Sequence, residues 1–207
     1  DFTEIKAKKI SYAPSIGIQE IPEEMKAYIQ KSLKGFAWVT VREEKAAALL
    51  QPLLGYHPQK VLDPTMLFSG ETWKELLHLQ VQSGQRYALY YFLSDNRNHW
   101  KACMKFARSK NLIVKIIPQG GFSFFRKGNK YPDAGVKEFL ELILNAEYVL
   151  TDSFHGTVFS ILLEKEFYLF ERFKDDEYFS QNDRVRELIK QFDLEDHMLK
   201  YNSHNIE

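Results

Sequence analysis

Short runs of β-branched and aromatic residues alternate along the chain with longer stretches whose apolar positions recur every three or four residues. Residues 10–13 read as a strand, followed by a turn at Pro14-Ser15-Ile16-Gly17. Pro22 then stands where a helix would begin, with Glu23 and Glu24 suited to the positive end of its dipole. Strands over 37–41 and 60–62 alternate with helices over 43–50 and 71–79, the last with Trp73, Leu76 and Leu77 on one face. After a polar joint at Gln82-Ser83-Gly84-Gln85 the alternation begins again. Residues 87–93 are apolar throughout, the mark of a strand covered on both faces. A helix over 99–109, a strand over 112–117 and a glycine-containing loop over 118–132 follow. A helix over 136–145 turns Phe139, Leu140 and Ile143 inward. A strand over 148–150, a helix over 154–163, a strand over 167–170 and a helix over 185–192 complete the pattern.

Strand–helix alternation at this spacing predicts parallel sheets with helical crossovers, the α/β class. Two units are expected, residues 1–82 and residues 86–207. The first is short of strands, which suggests the back half of a larger domain, and the chain begins at Asp1 rather than Met. Balanced charge, 28 basic against 28 acidic residues, removes the whole-protein argument for a nucleic-acid partner. With 44% hydrophobic and 27% charged residues, the composition excludes a disordered tail, a collagen-like repeat and a coiled coil. The one cysteine, Cys103, excludes an intramolecular disulfide framework and reads as a packed helix residue. No apolar stretch approaches the length needed to span a bilayer.

In open parallel sheets ligands bind beyond the carboxyl ends of the strands. Four such segments therefore carry the candidate chemistry: 13–17, 41–44, 62–65 and 150–157. In the last, a buried strand runs straight into Thr151, Asp152 and Ser153, all good helix N-caps, and a helix start is a ready anion site. His155 falls in the first helical turn, with Gly156 leaving room for close approach and Thr157 beside it. An ordinary cap followed by a surface or core histidine would satisfy the same residues. Arg42, at the end of its strand, suits bidentate binding of a carboxylate or phosphate, with a salt bridge to Glu43, Glu44 or another acid as its plain alternative. Asp63, in Asp63-Pro64-Thr65, is placed to orient a catalytic group or simply to start a turn. Ser15 stands in a Pro-Ser-x-Gly turn able to bring a backbone N–H to a phosphate. Arg172 and Arg184 are further candidate anion ligands, and Tyr12 and Trp38 could border a sugar. The acidic run Asp175-Asp176-Glu177 reads as a solvated loop, and the six histidines never pair at metal-ligand spacing, so no metal is expected. GxGxxG, GxxxxGK[ST], HExxH and GxSxG are all absent.

Four blocks of the chain resemble, in order and spacing, those of the polysaccharide pyruvyl transferase family. They are Lys9-Ile10-Ser11-Tyr12-Ala13-Pro14-Ser15-Ile16-Gly17, Val41-Arg42-Glu43-Glu44, Val61-Leu62-Asp63-Pro64-Thr65-Met66-Leu67 with Trp73 downstream, and the segment from Ala146 to Ser160 containing Thr151-Asp152-Ser153-Phe154-His155-Gly156. The resemblance implies two Rossmann-like domains in a GT-B-like arrangement, with the amino-terminal part of the first absent from this chain. It implies transfer of a pyruvyl group from phosphoenolpyruvate to sugar hydroxyls of a cell-surface or exopolysaccharide glycan, forming a pyruvate ketal without a cofactor. It matches Arg42 with a donor-binding arginine and His155 with the histidine of the family's carboxy-terminal motif. Where better-known members carry Arg-Leu-His, this chain has Ser153-Phe154-His155, so one donor-binding cation is lost and its substitute is Arg172, Arg184 or none. On this reading His155 is the general acid, Asp63 orients it or the acceptor, and Ser15, Asp152, Ser153, Gly156 and Thr157 contact substrate. The acceptor is a glycan, free or lipid-linked. The protein is expected in the cytoplasm, and at the inner face of the membrane where the acceptor is lipid-linked. A nucleotide-sugar glycosyltransferase of the same architecture and a non-catalytic binding protein are the competing readings.

Overall fold

A computed structural model describes residues 6–175, 177 and 180–206. Two parallel sheets are present: a three-stranded one and a six-stranded one. They belong to two compact units, Asp1–Leu67 with Asp176–Arg184, and Phe68–Asp175 with Val185–Glu207.

In the first unit the strand order is β1-β2-β3, from β1 (Lys9–Ser11), β2 (Phe36–Val41) and β3 (Gln59–Lys60). Helices α1 (Glu23–Leu33) and α2 (Glu44–Leu54) make the crossovers. Val39 and Val41 of β2 pack with Ala46, Ala47 and Leu50 of α2 and with Ile21 into one small core. Strand β1 stops earlier than expected because Ala13 takes a left-handed backbone, φ 52°. Its N–H is held by the hydroxyl of Thr40, 3.0 Å away, which itself donates to the Ser11 carbonyl.

In the second unit the strands run β6-β5-β4-β7-β8-β9, all parallel. They are β4 (Tyr87–Tyr91), β5 (Ile113–Ile116), β6 (Asn129–Lys130), β7 (Tyr148–Thr151), β8 (Glu166–Phe170) and β9 (Met198–Leu199). Counted along the unit this is the order 3-2-1-4-5-6 of a doubly wound nucleotide-type sheet, and its switch point lies between β4 and β7. As the apolar run predicts, β4 buries both faces. Tyr87 and Leu89 join the core with α5 (Val136–Leu144) and α6 (Phe154–Leu162), while Ala88, Tyr90 and Phe92 pack against α4 (Arg97–Ser109). Cys103 lies in that second layer, fully buried, and burial pushes its thiol pKa well up. Glu171, after β8, is buried and accepts from Arg186 of α7 (Asn182–Gln191) and from Lys200, tying the last helix and strand to the sheet.

The unit boundary differs from the polar joint at Gln82–Gln85. Helix α3 (Gly70–Leu76) belongs to the second unit because Trp73 packs edge-on against Phe159 at 5.5 Å. Close approach reinforces this: a Cβ on Gly70 would lie 1.8 Å from the Leu162 carbonyl oxygen. Leu76, expected on the inward face, is 57% exposed at the helix end. In the opposite sense, residues 180–184 join the first unit, where Gln19 donates to the Ser180 carbonyl and Lys45 pairs with Asp183 at 2.9 Å. Asp176 of the acidic run lies outside the described residues; Asp175 is paired with Arg186, which holds its carboxyl below the usual range.

Candidate functional site

The carboxyl ends of β1, β2 and β3 converge on Glu43, which is 3% exposed. One of its oxygens, Oε1, accepts from Ser15 Oγ at 2.6 Å and from Arg42 Nε at 3.2 Å, and lies 3.4 Å from Arg184 Nε. Glu43 Oε2 is buried and has no hydrogen-bond partner, a costly state for a carboxylate oxygen. Arg42 also pairs through a second nitrogen with Asp63, whose other oxygen accepts from the Thr65 N–H and hydroxyl at 3.0 and 2.6 Å. Glu43 thus joins two of the four strand-end segments and the distant Arg184, and Arg42 links the third through Asp63. The plain alternative for Arg42, a salt bridge to acids, is what this arrangement contains. Asp63, expected to orient the acid or an acceptor hydroxyl, spends both oxygens on Arg42 and Thr65. Two guanidinium groups face two carboxylates, so the cluster is formally neutral. Glu43, Lys45, Gln181, Asp183 and Arg184 line one cleft with the backbone around Gly17. Glu43 itself was readable only as a partner for Arg42; nothing local marks it as the hub.

The other strand-end segment, Leu150–Thr157, lies in the second unit at the switch point, between the carboxyl ends of β4 and β7. Three cap-type residues stand there and each does a different job. The Thr151 hydroxyl donates to the Tyr91 carbonyl at 2.6 Å and accepts from the Ser153 N–H. Asp152, 4% exposed, reaches across the switch point: its two oxygens accept from the N–H groups of Leu93 and Ser94 at 2.6 and 3.0 Å. Ser153 is the N-cap proper, accepting from the Gly156 N–H, and it also bonds the Tyr91 hydroxyl. Burial is the main reason the Tyr91 pKa is raised, with the Asp152 charge adding to it and the Ser153 bond opposing it. The Thr157 hydroxyl turns back to the Ser153 carbonyl at 3.0 Å, and Thr157 is fully buried.

Gly156 is needed for packing within this turn. A Cβ there would meet Thr151 Oγ1 at 2.6 Å and the Tyr91 ring at 3.1 Å. Asp152, Ser153, Gly156 and Thr157, all expected to touch substrate, therefore build the turn. The motif side chain presented at the surface is His155, exposed in the first turn of α6 with its ring edge-on to Phe154. Sequence reasoning passed over Ser94, whose Oγ is buried without a hydrogen-bond partner in the loop that Asp152 holds. A hydroxyl directly after an apolar central strand, where ligands of such sheets bind, was the available signal.

Arg172 is half-buried, its guanidinium 5.1 Å from the Phe173 ring centroid. Tyr12 and Trp38 are exposed, at 42% and 51%. No group of three or more His, Cys, Asp or Glu gathers to hold a metal ion among the described residues, nor is any helix there long and apolar enough to cross a membrane.

Several solved structures are similar to this chain. The UDP-GlcNAc 2-epimerase from Neisseria meningitidis bound to UDP-GlcNAc aligns with TM-score 0.46 at 10% identity, over 93% of this chain and 64% of that one. The wall teichoic acid polymerase TagF gives 0.42 at 10% identity, over 79% and 45%. The Escherichia coli heptosyltransferase WaaC with ADP gives 0.36 at 14%, over 72% and 54%. This chain thus spans roughly half to two-thirds of the length of these proteins. No curated protein matches it. The model of one family, polysaccharide pyruvyl transferase, matches residues 1–172, which include every strand-end segment described above, and the chain belongs to that family.

Proposed function

We propose that this protein transfers a pyruvyl group from phosphoenolpyruvate to two hydroxyls of a glycan, with His155 as the proton donor. The observation that carries the reading is His155, exposed in an internally hydrogen-bonded turn at the switch point of a sheet whose family transfers pyruvyl groups. The chemistry asks for an acid. A proton must be added to the methylene carbon of the enol phosphate, leaving positive charge on the adjacent carbon. One sugar hydroxyl attacks that carbon and loses its proton. A second hydroxyl then displaces phosphate, which carries off that hydroxyl's proton while the first hydroxyl's proton restores the acid, and the products are a pyruvate ketal and inorganic phosphate. An imidazole holds and releases protons near neutral pH, which suits the first step.

In the first unit, Arg42 and Arg184 are the cations whose chemistry suits an anionic substrate group, since a guanidinium offers two parallel donors to a carboxylate or a phosphate. Glu43 and Asp63 fix the plane of Arg42. Ser15, bonded to Glu43, belongs to the same arrangement. The acceptor is a polysaccharide precursor, free or lipid-linked.

Phosphate release from phosphoenolpyruvate across a panel of glycan acceptors, with NMR detection of the ketal methyl group, tests the proposal. His155→Ala should lower turnover by about 100-fold or more with its melting temperature unchanged, the usual range for losing a general acid. Turnover within a few-fold of wild type would remove His155 from the mechanism. No release with any acceptor would remove the reaction.

A further inference from the structure

Charge along the chain is balanced overall but not locally. Between Asp95 and Asp133 the sequence contains nine Lys or Arg and no Asp or Glu. Helix α4 carries the first part of this run. His99, Ala102, Cys103, Phe106 and Ala107 face the core. Arg97, Lys101, Lys105 and Arg108, spaced four, four and three residues apart, share the opposite face and are all exposed. The stripe runs about 17 Å along the helix.

The loop after β5 adds an apolar element beside the start of α4. It forms a 3-10 turn over Gly121–Phe125 that inverts the usual arrangement. Ser123 points inward, 9% exposed, and its hydroxyl bonds the Gly120 carbonyl. Phe122, Phe124 and Phe125 point outward, at 58%, 47% and 85% exposure. Three exposed phenylalanines in four residues are unusual on a soluble surface, because phenyl rings have no polar handle to satisfy in water. The loop is fixed to α4: the Arg97 guanidinium lies 5.9 Å from the Phe122 ring centroid, and Arg126 lies over Trp100 while pairing with Asp95 at 2.9 Å. Lys127 and Lys130 continue the positive charge on the other side of the turn, both exposed.

We infer that this face docks on an anionic membrane surface, with Phe122, Phe124 and Phe125 entering the acyl boundary while the α4 stripe and Lys127 face acidic headgroups. A basic helix beside an outward apolar tip is the combination that holds a protein at such a surface without a spanning helix. A polyanion in solution would reward the cations but would leave three phenyl rings in water, and so fits the surface less well. The inference stands on the second unit alone and does not depend on the proposed reaction.

Flotation of the full chain with vesicles provides the test. At low salt it should bind vesicles of phosphatidylcholine with about one-third phosphatidylglycerol and leave pure phosphatidylcholine vesicles unbound, with binding weakened at high salt. Lys101→Glu with Lys105→Glu should weaken binding by about 100-fold or more, each cation near an anionic surface counting for about fivefold and each reversal doubling the effect. Replacing Phe122, Phe124 and Phe125 together by Ser should weaken it at least tenfold. Phe125→Trp should report insertion as a blue shift of emission on anionic vesicles. All of these side chains are exposed, and an unchanged melting temperature confirms that the variants fold. Equal binding to both vesicle types, or no binding at low salt, overturns the inference. So does heparin or RNA binding that matches vesicle binding and is indifferent to the Phe replacement. Concentration-dependent dimerisation abolished by the Phe replacement would assign the face to a second copy of the chain, and would overturn it too.

Discussion

Replacing Asp152 by asparagine tests whether this residue of the motif builds the switch-point turn or serves the substrate. The carboxylate is 4% exposed and takes one backbone N–H on each oxygen, from Leu93 and Ser94. Hydrogen bonds to a charged partner are worth about 1.5–3 kcal/mol each. An asparagine keeps one acceptor and turns an amide NH2 toward the other N–H, so one bond is lost and two donors face each other. The variant should lose about 2–3 kcal/mol, and Asp152→Ala, which abandons both N–H groups, about 3–5 kcal/mol. At this chain length the asparagine variant should melt about 4–12 °C lower. Thermal and urea melts measure the loss, and amide hydrogen exchange localises it. The N–H groups of Leu93 and Ser94 should exchange faster in both variants, while those of β5 change only with global stability. If Asp152→Asn melts within about 1 °C of wild type and leaves those two amides protected, the bridge across β4 and β7 is not what holds the loop, and the structural role argued for Asp152 is wrong.

Three more perturbations address the rest of the molecule. His99 is fully buried, its Nε2–H donates to the Tyr201 carbonyl at 2.8 Å, and desolvation lowers its pKa from the ordinary 6.5. The unfolded chain therefore binds the proton first. Stability from this group is whole above about pH 6.5 and drains as pH falls through that value toward the depressed one, so His99→Gln should flatten the acid side of a melting-temperature profile between pH 8 and 5. Gly156→Ala drives a methyl to 2.6 Å from Thr151 Oγ1 and should cost about 1–3 kcal/mol in a urea melt; an unchanged melt would mean the turn opens freely. Glu43→Ala strips Arg42 and Ser15 of a shared acceptor and Arg184 of an ion-pair partner, and should cost about 2–4 kcal/mol, discounted because both arginines keep some contact with water, while Glu43→Gln, which retains the Ser15 bond, should cost about half that.

What could be read from the sequence was whatever local pattern determines. The apolar run of β4 announced a strand covered on both faces, and the cap-rich segment at Thr151–Ser153 announced a helix start at Phe154. Strands β6 and β9 were missed because two residues at a sheet edge carry no periodic signal. The joint at Gln82–Gln85 marks exposure to water, not the division between units. That division follows Trp73 on Phe159 and Lys45 on Asp183, contacts between residues 86 and 138 positions apart that no local window contains. The same limit applies at the sites. Cap chemistry offered Thr151, Asp152 and Ser153 as equivalent candidates, and only the approach of the β4 loop made Ser153 the cap and Asp152 the bridge. Arg42 was flagged from its place at a strand end, but the carboxylate that joins it to Ser15 and Arg184 depends on residue 184 returning to the first unit.

How the turn spends its polar groups bears on which reaction it suits. A diphosphate at a doubly wound sheet is bound mainly by backbone N–H groups and small hydroxyls, at the glycine-rich turn after the first strand or at a helix start. Here the turn after β4 reads Phe92-Leu93-Ser94-Asp95, without glycine, and two of its N–H groups are taken by Asp152. At α6 the Gly156 N–H is taken by Ser153, and the Thr157 hydroxyl by the Ser153 carbonyl. What the turn turns outward is an imidazole. Cradling a diphosphate requires many donors at once, whereas protonating a carbon requires one side chain held in one place. The internal bonding that weakens this turn as a phosphate cradle is the bonding that would hold His155 still, which favours pyruvyl transfer over nucleotide-sugar chemistry. Thermal-shift titration separates the two: phosphoenolpyruvate should stabilise the protein and UDP- or GDP-sugars should not, and stabilisation by a nucleotide sugar that Gly156→Ala abolishes would reverse the argument.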